Sequence, residues 1–352
     1  MKILILQQKM IGDVLTSSVM FEILKKKYKD IDLHYLINSQ TKAVVENNPN
    51  IDEFILLTPE IEKSYLKLIS FFKKIRKNRY DVVIDVYGKL SSNLITLFSG
   101  AKTKIGFHKK YTSILYTHSI TRVKQPNYNV SLAIENRIRL LKPLLDISII
   151  NVSPKIYLKQ TEIDKAKILL SSFSIDETKP LLMISVLGSD ANKSYPAKYM
   201  AKILDKIISI KPRAQILFNY YPNQVTQAKE IYKLCREKTQ KQIFFDIYGE
   251  NIREYLALTY HCNALIGNEG GAVNMAKAIP IPTFIIFSPY LNKANWFGSS
   301  EANSHIAVHL SDFIEYEVND KKKAKRNPEV YYLKFIPTYI EPILTKFLST
   351  VL

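Results

Sequence analysis

Cysteine is scarce and long apolar runs are missing in this chain of 352 residues, and each absence excludes a class of protein. Two cysteines, Cys235 and Cys262, cannot build a disulfide framework, which predicts a reducing compartment. No stretch reaches the roughly 18 apolar residues of a membrane-spanning helix. The apolar run after Met1 and Lys2 is too short for a signal peptide, so we expect a cytoplasmic protein.

Several short motifs that mark a known chemistry are also missing. The six histidines are scattered, and neither H-E-x-x-H nor C-x-x-C occurs, so the sequence predicts no metal site. His305 and His309 are four residues apart, but the residues between them are typical of a strand, which would not bring the two rings together. The G-x-S-x-G turn of hydrolases and the G-x-G-x-x-G turn of an ordinary nicotinamide site are absent as well.

Acidic residues are outnumbered, with 32 Asp and Glu against 50 Lys and Arg, a net charge of +18. This excess favours nucleic acid, a lipid surface or phosphorylated small molecules as partners. The basic residues cluster near positions 25–27, 73–79, 102–110 and 321–326. Tyrosine is abundant, and basic residues with interspersed aromatics can bind RNA, but no nucleic-acid-binding motif accompanies them. Solvated faces and an anionic membrane or phosphorylated acceptor remain open, and nucleic acid is disfavoured.

What is present is an ordinary globular composition, 47% apolar and 23% charged, at a length that predicts two domains. In the first half, short apolar runs alternate with segments of helical periodicity. The predicted strands are residues 2–6, 33–37, 54–57 and 82–86, and the predicted helices are residues 14–28, 61–77, 91–99 and 130–141.

The same alternation restarts after residue 180. Strands are predicted at residues 181–186, 215–219, 243–246, 264–266 and 283–287, and helices at residues 197–208, 225–237, 252–260 and 271–278. The charge run at 320–326 is expected to be a loop, and residues 339–348 a final helix. The alternation predicts an α/β protein with two doubly wound, Rossmann-like domains that join near residues 161–179.

Ligands of open α/β sheets bind where loops leave the carboxyl ends of the strands, and three such loops stand out. In the first, residues 7–13, Gly12 permits a tight turn and Asp13 opens a helix. One interpretation is a helix N-cap, worth about 1 kcal/mol. The other is a carboxylate aimed into a cleft between the domains.

The second loop, residues 185–196, follows the first strand of the second half. Gly188 and Ser189 can present backbone N–H groups to an anion, and Lys193 adds a mobile positive charge, which suits a diphosphate. The alternative is a solvated loop in which Pro196 starts the next helix.

The third loop, residues 266–276, is the most informative. Gly270 and Gly271 let a ligand approach the backbone closely, and the helix that begins there carries about half a positive charge at its N-terminus. Glu269 and Asn274 are polar in an apolar setting, and both can face the same ligand. The alternative is a strand-to-helix turn that needs glycine for packing.

These three loops resemble glycosyltransferase family 9, the ADP-heptose:lipopolysaccharide heptosyltransferases, over nearly the whole chain. M-K-I-L-I-L and I-G-D-V-L in residues 1–15 are similar to the family's first strand and G-D turn. K-S-Y-P at 193–196 is similar to its K-x-W-P segment, with Tyr195 in place of tryptophan. G-N-E-G-G-A-V-N-M-A at 267–276 resembles G-x-D-[ST]-G-x-x-H-x-A, and P-T-F-I-I-F-S-P at 282–289 resembles the strand and turn that follow.

The resemblance implies a GT-B fold with two Rossmann-like domains facing a cleft. Residues 1–160, joined by a C-terminal helix at 337–352, would bind the acceptor, and residues 178–335 would bind the nucleotide sugar. Asp13 would be the catalytic general base, with Lys9 and Gly12 beside the acceptor. The residues implied for the donor are Gly188, Ser189, Lys193, Gln224, Glu269, Gly270, Gly271 and Asn274.

The activity implied is inverting, metal-independent transfer of a heptose or similar sugar, without a cofactor, from a nucleotide-diphosphate donor such as ADP-heptose. The acceptor would be a lipopolysaccharide core or another anionic glycan or glycolipid, with peripheral contact at the cytoplasmic membrane leaflet. Three positions depart from the family pattern, Glu269, Gly270 and Asn274, and Gln224 replaces a ribose-binding glutamate. A non-catalytic nucleotide-sugar-binding regulator is therefore an alternative, and a basic RNA-binding protein is a further one.

Overall fold

The chain divides into two compact units, each built around its own parallel sheet. The computed structural model describes residues 1–146, 152–298, 304–316 and 318–352. One unit is Met1–Tyr157 with Ala294–Ser299, and the other is Leu158–Lys293 with Ser300–Leu352.

The first unit carries a sheet that, in the described residues, has six strands in the order β3-β2-β1-β4-β5-β6. All neighbouring strands run parallel, and β1 is central, with Ile3 opposite Leu33 on one side and Val82 on the other. The elements are β1 (Lys2–Leu6), α1 (Ile11–Ser17), α2 (Val19–Lys27), β2 (Asp32–Asn38), β3 (Glu53–Leu57), α3 (Pro59–Glu62), α4 (Tyr65–Lys77), β4 (Val82–Asp85), α5 (Leu90–Phe98), β5 (Thr103–Phe107), β6 (His118–Ile120) and α6 (Leu132–Arg139).

Burial on both faces explains why the inner strands of this sheet are apolar. Ile3, Leu4, Ile5 and Leu6 of β1 are all fully buried, as expected for a parallel strand covered by helices on two sides. One face packs against α4 and α5, where Phe71 and other apolar side chains cover the sheet.

The second unit carries a sheet of five strands, within the described ranges, in the order β11-β10-β9-β7-β8. All of its neighbouring strands are parallel. The elements are α7 (Gln160–Ser172), β7 (Leu181–Ser185), α8 (Ala197–Ile210), β8 (Gln215–Asn219), α9 (Val225–Leu234), α10 (Glu237–Gln240), α11 (Ile252–Tyr260), β9 (Ala264–Asn268), α12 (Gly271–Ala278), β10 (Thr283–Ile286), β11 (His305–Val308), α13 (Val318–Arg326), α14 (Pro328–Lys334) and α15 (Pro337–Val351).

The C-terminal helix α15 belongs to the second unit, and its expected return to the first unit is wrong. Ile340, Leu344 and Leu348 are fully buried in the core of the second unit, and the Phe347 ring lies 5.6 Å from the Phe284 ring of β10. The apolar face of α15 therefore packs against α8 and the sheet of the second unit.

Two further expectations fail for local reasons. The charge run at 320–326 forms α13 rather than a loop, because lysine and arginine are good helix formers and stand in its last turn, with Asp320 in the first. Residues 243–246 form no strand: Ile243 makes a single bridge to Ile216, and the chain then turns. The strands β5 and β6 were not predicted, and the helix predicted at 14–28 is divided at Ser18 into α1 and α2.

No helix in the described parts of the chain combines the length and the hydropathy needed to cross a membrane.

Candidate active site

In each sheet the strand order reverses its direction at one point, and the predicted loops lie there. In the first sheet the loops after β1 and β4 leave neighbouring strands toward opposite sides, which opens a crevice between them. In the second sheet β7 and β9 are the corresponding pair. The loop of Asp13 follows β1, and the loops of Gly188 and Glu269 follow β7 and β9.

Asp13 is held by an arginine that sequence analysis did not identify. Arg137 of α6 donates from Nη2 to Asp13 Oδ1 at 2.5 Å, from Nε to Ser17 Oγ at 2.8 Å and from Nη1 to the Ala133 carbonyl at 2.9 Å. The Arg137 side chain is nearly buried, whereas that of Asp13 is one-third exposed. Arg137 therefore fixes the orientation of the Asp13 carboxylate, and part of this carboxylate remains exposed to solvent at the edge of the sheet.

The local backbone around Asp13 differs from the prediction. The N-cap residue is Met10, and Asp13 is the third residue of α1, with its Oδ2 atom 3.5 Å from the Met10 amide nitrogen. Gly12 is helical and forms no tight turn, and its carbonyl accepts a hydrogen bond from Thr16 Oγ1. Lys9 lies 3.5 Å from Glu62 and is therefore ion-paired.

Two buried amides at the ends of β1 and β2, the edge of the sheet that carries Asp13, have unused hydrogen-bonding groups. Gln8 accepts a hydrogen bond from Ser91 Oγ, but its Nε2 atom has no partner in the described part of the chain. Asn38 donates to Glu62, and its Oδ1 atom is likewise unpartnered among the described residues. A buried orphan polar group is costly, so an unused donor and an unused acceptor at one edge of the sheet suit a ligand hydroxyl.

Asp85 ends β4 at the same crevice and is fully buried. It accepts hydrogen bonds from the Gly88 amide at 2.7 Å and from Tyr116 Oη at 2.9 Å. Burial raises the pKa of Asp85 to about 6, although these hydrogen bonds oppose the shift. Gly106 makes room for this arrangement, because an added Cβ there would lie 2.4 Å from the Tyr116 ring.

Asn268 joins the two loops of the second sheet. It is fully buried at the end of β9, where its Oδ1 accepts from the Tyr195 amide at 2.7 Å and its Nδ2 donates to the carbonyls of Ser185 and Val186 at 3.0 Å. Sequence reasoning passed over this residue, although a buried asparagine that ends an apolar strand is a detectable signal.

The loop after β7 is shaped by close backbone contacts. An added Cβ at Gly188 would lie 2.3 Å from the Lys193 carbonyl oxygen, so only glycine fits. Gln224 donates from Nε2 to the Gly188 carbonyl at 2.8 Å and accepts from the Tyr221 amide at 3.0 Å. Both polar atoms of the Gln224 side-chain amide are therefore occupied by backbone partners. Ser189 is exposed and donates to Asp190.

The loop after β9 leaves an open helix N-terminus. Gly270, at φ +154°, is the N-cap of α12, and no side chain caps the helix. Apart from the neighbouring residues in the chain and the backbone of α12 itself, no described atom lies within 4 Å of an added Cβ at Gly270 or Gly271. The N-terminus of α12 therefore has no side-chain cap and has open space beside both of its glycines, which suits an anion. Asn274, one turn along, is half-buried.

Glu269 lies beside this helix N-terminus, more than nine-tenths buried. Its Oε1 atom has no hydrogen-bond partner in the described ranges. Burial raises the pKa of Glu269, Lys193 opposes that shift, and Asp190 adds to it. Glu269 and Lys193 are thus electrostatic neighbours, and the orphan carboxyl oxygen is suited to a ligand hydroxyl.

An aromatic group that sequence analysis missed flanks the same loops. The rings of Tyr220 and Tyr248 stack at 4.9 Å, and Tyr248 Oη donates to the Tyr220 carbonyl. Tyr255 Oη donates to the Ala272 carbonyl in the first turn of α12. Tyr221, which follows Tyr220 in the chain, is half exposed.

No group of three or more His, Cys, Asp or Glu side chains suited to a metal ion occurs in the described residues.

Comparison with known proteins connects this geometry to one family. A family model for glycosyltransferase family 9 (heptosyltransferase) matches residues 68–326. The chain belongs to glycosyltransferase family 9. It is 25% identical to lipopolysaccharide heptosyltransferase 1 of Campylobacter coli over 308 residues, which cover 84% of this chain and 86% of that protein.

Solved structures of family 9 share the fold. A family 9 glycosyl transferase from Veillonella parvula has a TM-score of 0.83 at 19% identity, covering 99% of this chain and 96% of its own. The E. coli ADP-heptose lps heptosyltransferase II has a TM-score of 0.68 at 16% identity, covering 95% and 99%. E. coli heptosyltransferase WaaC with ADP-2-deoxy-2-fluoro heptose gives 0.65 at 14%, also covering 95% and 99%. The GT-B fold implied by the sequence resemblance is confirmed.

Proposed function

We propose that this family 9 protein transfers a heptose or similar sugar, with inversion, from a nucleotide-diphosphate donor of the ADP-heptose class. The acceptor is a hydroxyl group of a lipopolysaccharide core or another anionic, lipid-linked glycan. The observation that carries the proposal is the open N-terminus of α12, with its two glycines, beside buried Glu269 and the neighbouring Lys193.

On the donor side, the pyrophosphate would lie against the first turn of α12. The N–H groups there and the Lys193 ammonium would stabilise the negative charge that grows on the leaving diphosphate, so the proposed reaction needs no metal ion. Glu269 Oε1 would accept a hydrogen bond from a sugar hydroxyl. Gln224 and Asn268 would act indirectly, by holding the shape of the loops.

On the acceptor side, Asp13 would be the general base. The acceptor oxygen bonds to the anomeric carbon, the bond from that carbon to the diphosphate oxygen breaks, and the hydroxyl proton passes to the Asp13 carboxylate. A carboxylate is a weak base, so proton transfer comes late, when the attacking oxygen has become acidic. Gln8 Nε2 and Asn38 Oδ1 would bind other acceptor hydroxyls, beside Lys9 and Gly12.

A direct test is calorimetric binding of ADP and of adenosine to the parent chain and to Gly271→Ala. Because Gly271 is helical and nothing obstructs an added methyl group, the variant should be as stable as the parent or up to about 1 kcal/mol more stable. If the pyrophosphate lies there, the affinity for ADP should fall about tenfold or more.

Adenosine, which lacks the diphosphate, is the matched control and should bind both proteins equally. A Gly271→Ala variant that binds ADP as tightly as the parent does would contradict the donor site.

A second candidate function is a nucleotide-sugar-binding regulator without transfer activity. It is favoured by Gly270 and Asn274, which stand where the family pattern has a hydroxyl and an imidazole. Binding of ADP-heptose without release of ADP in the presence of lipopolysaccharide core acceptors would support it.

The proposal also includes a cytoplasmic location with peripheral contact at the membrane surface where a lipid-linked acceptor resides. The net charge of +18 supports an anionic surface.

A further inference from the structure

The most exposed apolar side chains are concentrated in one place. Seven large apolar side chains in the described residues are at least 69% exposed, and six of them belong to the first unit. These six are Met10, Tyr65, Leu66, Leu90, Tyr111 and Ile114. The seventh, Ile168, lies on α7 of the second unit. Exposed apolar residues are ordinary when scattered, but a concentration of this kind marks an interaction surface.

All six follow the carboxyl end of a strand in the first sheet. Met10 follows β1, Tyr65 and Leu66 open α4 after β3, Leu90 opens α5 after β4, and Tyr111 and Ile114 follow β5. Because the strands are parallel, their carboxyl ends meet at one edge of the sheet. This is the edge that carries Asp13, and we refer to the six side chains as the apolar rim.

Three side-chain contacts join the loops of the rim into one surface. Lys109 Nζ donates to the Gly88 carbonyl, which connects the loop after β5 to the start of α5. Ser91 Oγ donates to Gln8 Oε1 at 2.6 Å, which connects α5 to the loop of Met10. Finally, Lys9 pairs with Glu62 of α3, three residues before Tyr65.

Five of the six rim residues, all but Met10, lie in a strongly basic stretch of the sequence. Residues 63–134 contain 14 Lys and Arg against two acidic residues, Asp81 and Asp85, and Asp85 is fully buried. None of the 14 forms an ion pair with a carboxylate in the described part of the chain. Lys63, Lys67, Lys89 and Lys110 are exposed beside the rim residues. Positive charge is therefore available at the same surface as the apolar side chains.

We propose that the apolar rim and its lysines dock the first unit onto a bilayer that contains anionic phospholipids. The inference deepens the proposed function, since a lipid-linked acceptor would reach the edge of Asp13 from the surface on which the rim lies. The lysines would attract the lipid headgroups, and the leucine, isoleucine, methionine and tyrosine side chains would enter the interface between headgroups and acyl chains.

The composition of the rim favours a lipid surface over the other occupants. A second copy of the chain would bring another +18 and an equally basic rim against this one, which like-charge repulsion opposes. RNA binding relies on aromatic stacking, whereas four of the six rim side chains are aliphatic or methionine. Anionic lipid alone matches both the positive charge and the aliphatic side chains.

The test is co-sedimentation of the full-length protein with sucrose-loaded vesicles at 50 mM and 500 mM NaCl. We expect binding to vesicles with about 30% phosphatidylglycerol in phosphatidylcholine, weaker binding at high salt, and little binding to phosphatidylcholine alone. The variant Leu66→Ser/Ile114→Ser should bind at least about tenfold more weakly, because it removes two apolar insertions.

The charge variant Lys67→Glu/Lys110→Glu should also lower binding about tenfold or more. Each variant has a matched control on the second unit. Ile168→Ser/Val330→Ser removes two exposed apolar side chains, and Lys165→Glu/Lys238→Glu makes the same change in net charge. Both controls should bind vesicles as the parent does.

Four outcomes would overturn the proposal. In the first, the parent does not sediment with anionic vesicles. In the second, the rim variants bind vesicles as their controls do. In the third, Leu66→Ser/Ile114→Ser converts a parent dimer to a monomer without changing vesicle binding. In the fourth, the parent binds RNA in place of vesicles. ADP titration of the same proteins separates the two proposals. Vesicle binding without ADP binding would support membrane docking by the apolar rim and would contradict the proposed sugar transfer.

Discussion

Arg137 and Asp13 are 124 positions apart in the sequence, and their side chains meet at 2.5 Å at the edge of the first sheet. The arginine is nearly buried and uses its three nitrogens on three different acceptors, so its position is fixed by α1 and α6 together. The carboxylate therefore has one oriented oxygen and remains partly accessible, which is what a general base for an incoming hydroxyl needs.

Replacement of Asp13 by asparagine should slow sugar transfer strongly and leave donor binding intact. The amide has nearly the same shape but accepts no proton, and general-base catalysis contributes about 10²–10⁴-fold. We expect kcat to fall by that factor while the Kd for ADP changes less than about twofold. The control is Asp164→Asn, an exposed carboxylate of α7 in the second unit. Parent-like turnover of Asp13→Asn would reject the base assignment.

Arg137→Met should cost both stability and rate. It leaves Asp13, Ser17 and the Ala133 carbonyl without their donor, and a hydrogen bond to a charged group is worth about 1.5–3 kcal/mol. We expect the free energy of unfolding to fall by about that amount and kcat to fall at least tenfold. Arg137→Lys keeps the charge but cannot reach three acceptors, so it should recover only part of each loss.

The matched control is Arg213→Met, which removes an exposed arginine of the second unit. Urea unfolding and initial rates measure the two effects, and an Arg137→Met variant with parent kcat would show that the arginine does not position the base.

Asn268→Asp should damage the second unit more than its small size change suggests. The Nδ2 group donates to two backbone carbonyls, and aspartate would place a carboxylate oxygen against both. Burial without partners costs about 1–3 kcal/mol for a neutral group and more for a charged one. We expect a loss of about 3 kcal/mol in unfolding free energy and weaker ADP binding, because Asn268 also holds the Tyr195 amide of the loop after β7.

Asn268→Ala should cost less than Asn268→Asp does, and Asn223→Ala, at an exposed position of the same unit, should cost almost nothing. The order of the three unfolding midpoints checks the argument, and equal midpoints for the aspartate and alanine variants would contradict it.

The local pattern of the sequence was enough to predict the loops but not what holds them. Strand, glycine and helix follow one another within about ten residues at Gly188 and at Gly271, so alternation and glycine spacing identify these turns. Arg137 reaches Asp13 from a distant helix, and no local signal in α6 indicates a partner in α1. Gln8 and Asn38 each have a polar atom that the fold buries without a hydrogen-bond partner among the described residues. Sequence patterns do not show which polar atoms will be buried in this way.

The errors in the fold have the same origin. The last helix was assigned to the first unit by resemblance, whereas its buried stripe packs on the second sheet, and the choice between two apolar surfaces is made by tertiary packing. The charge run at 320–326 was expected to be a loop because of its polarity, yet helix propensity and charge placement favour α13. Asp85 was within reach of sequence analysis, since a single carboxylate ends a buried strand at the crevice of the first sheet.

Asp85 should make the stability of the first unit depend on pH in the opposite direction to that of an ion-paired carboxylate. Its pKa is about 6 in the folded protein against 3.8 for an unperturbed aspartate, so between these values the folded state binds the proton more firmly than the unfolded state does. Stability contributed by the protonated group is therefore lost as pH rises from about 4 to about 6, by up to about 3 kcal/mol.

Asp85→Asn should remove this dependence, because the amide stays neutral and its oxygen can still accept from the Gly88 amide. Trp296, the single tryptophan of the chain, belongs to the first unit, so its fluorescence during urea unfolding reports the correct unit. The unfolding free energy of the variant minus that of the parent should increase by up to about 3 kcal/mol between pH 4 and pH 7. Asp30→Asn, at an exposed position of the same unit, is the control and should show a constant difference. Contributions from other carboxylates are common to both proteins and cancel, so an unchanged difference for Asp85→Asn would show that Asp85 is ionised in the fold at pH 4.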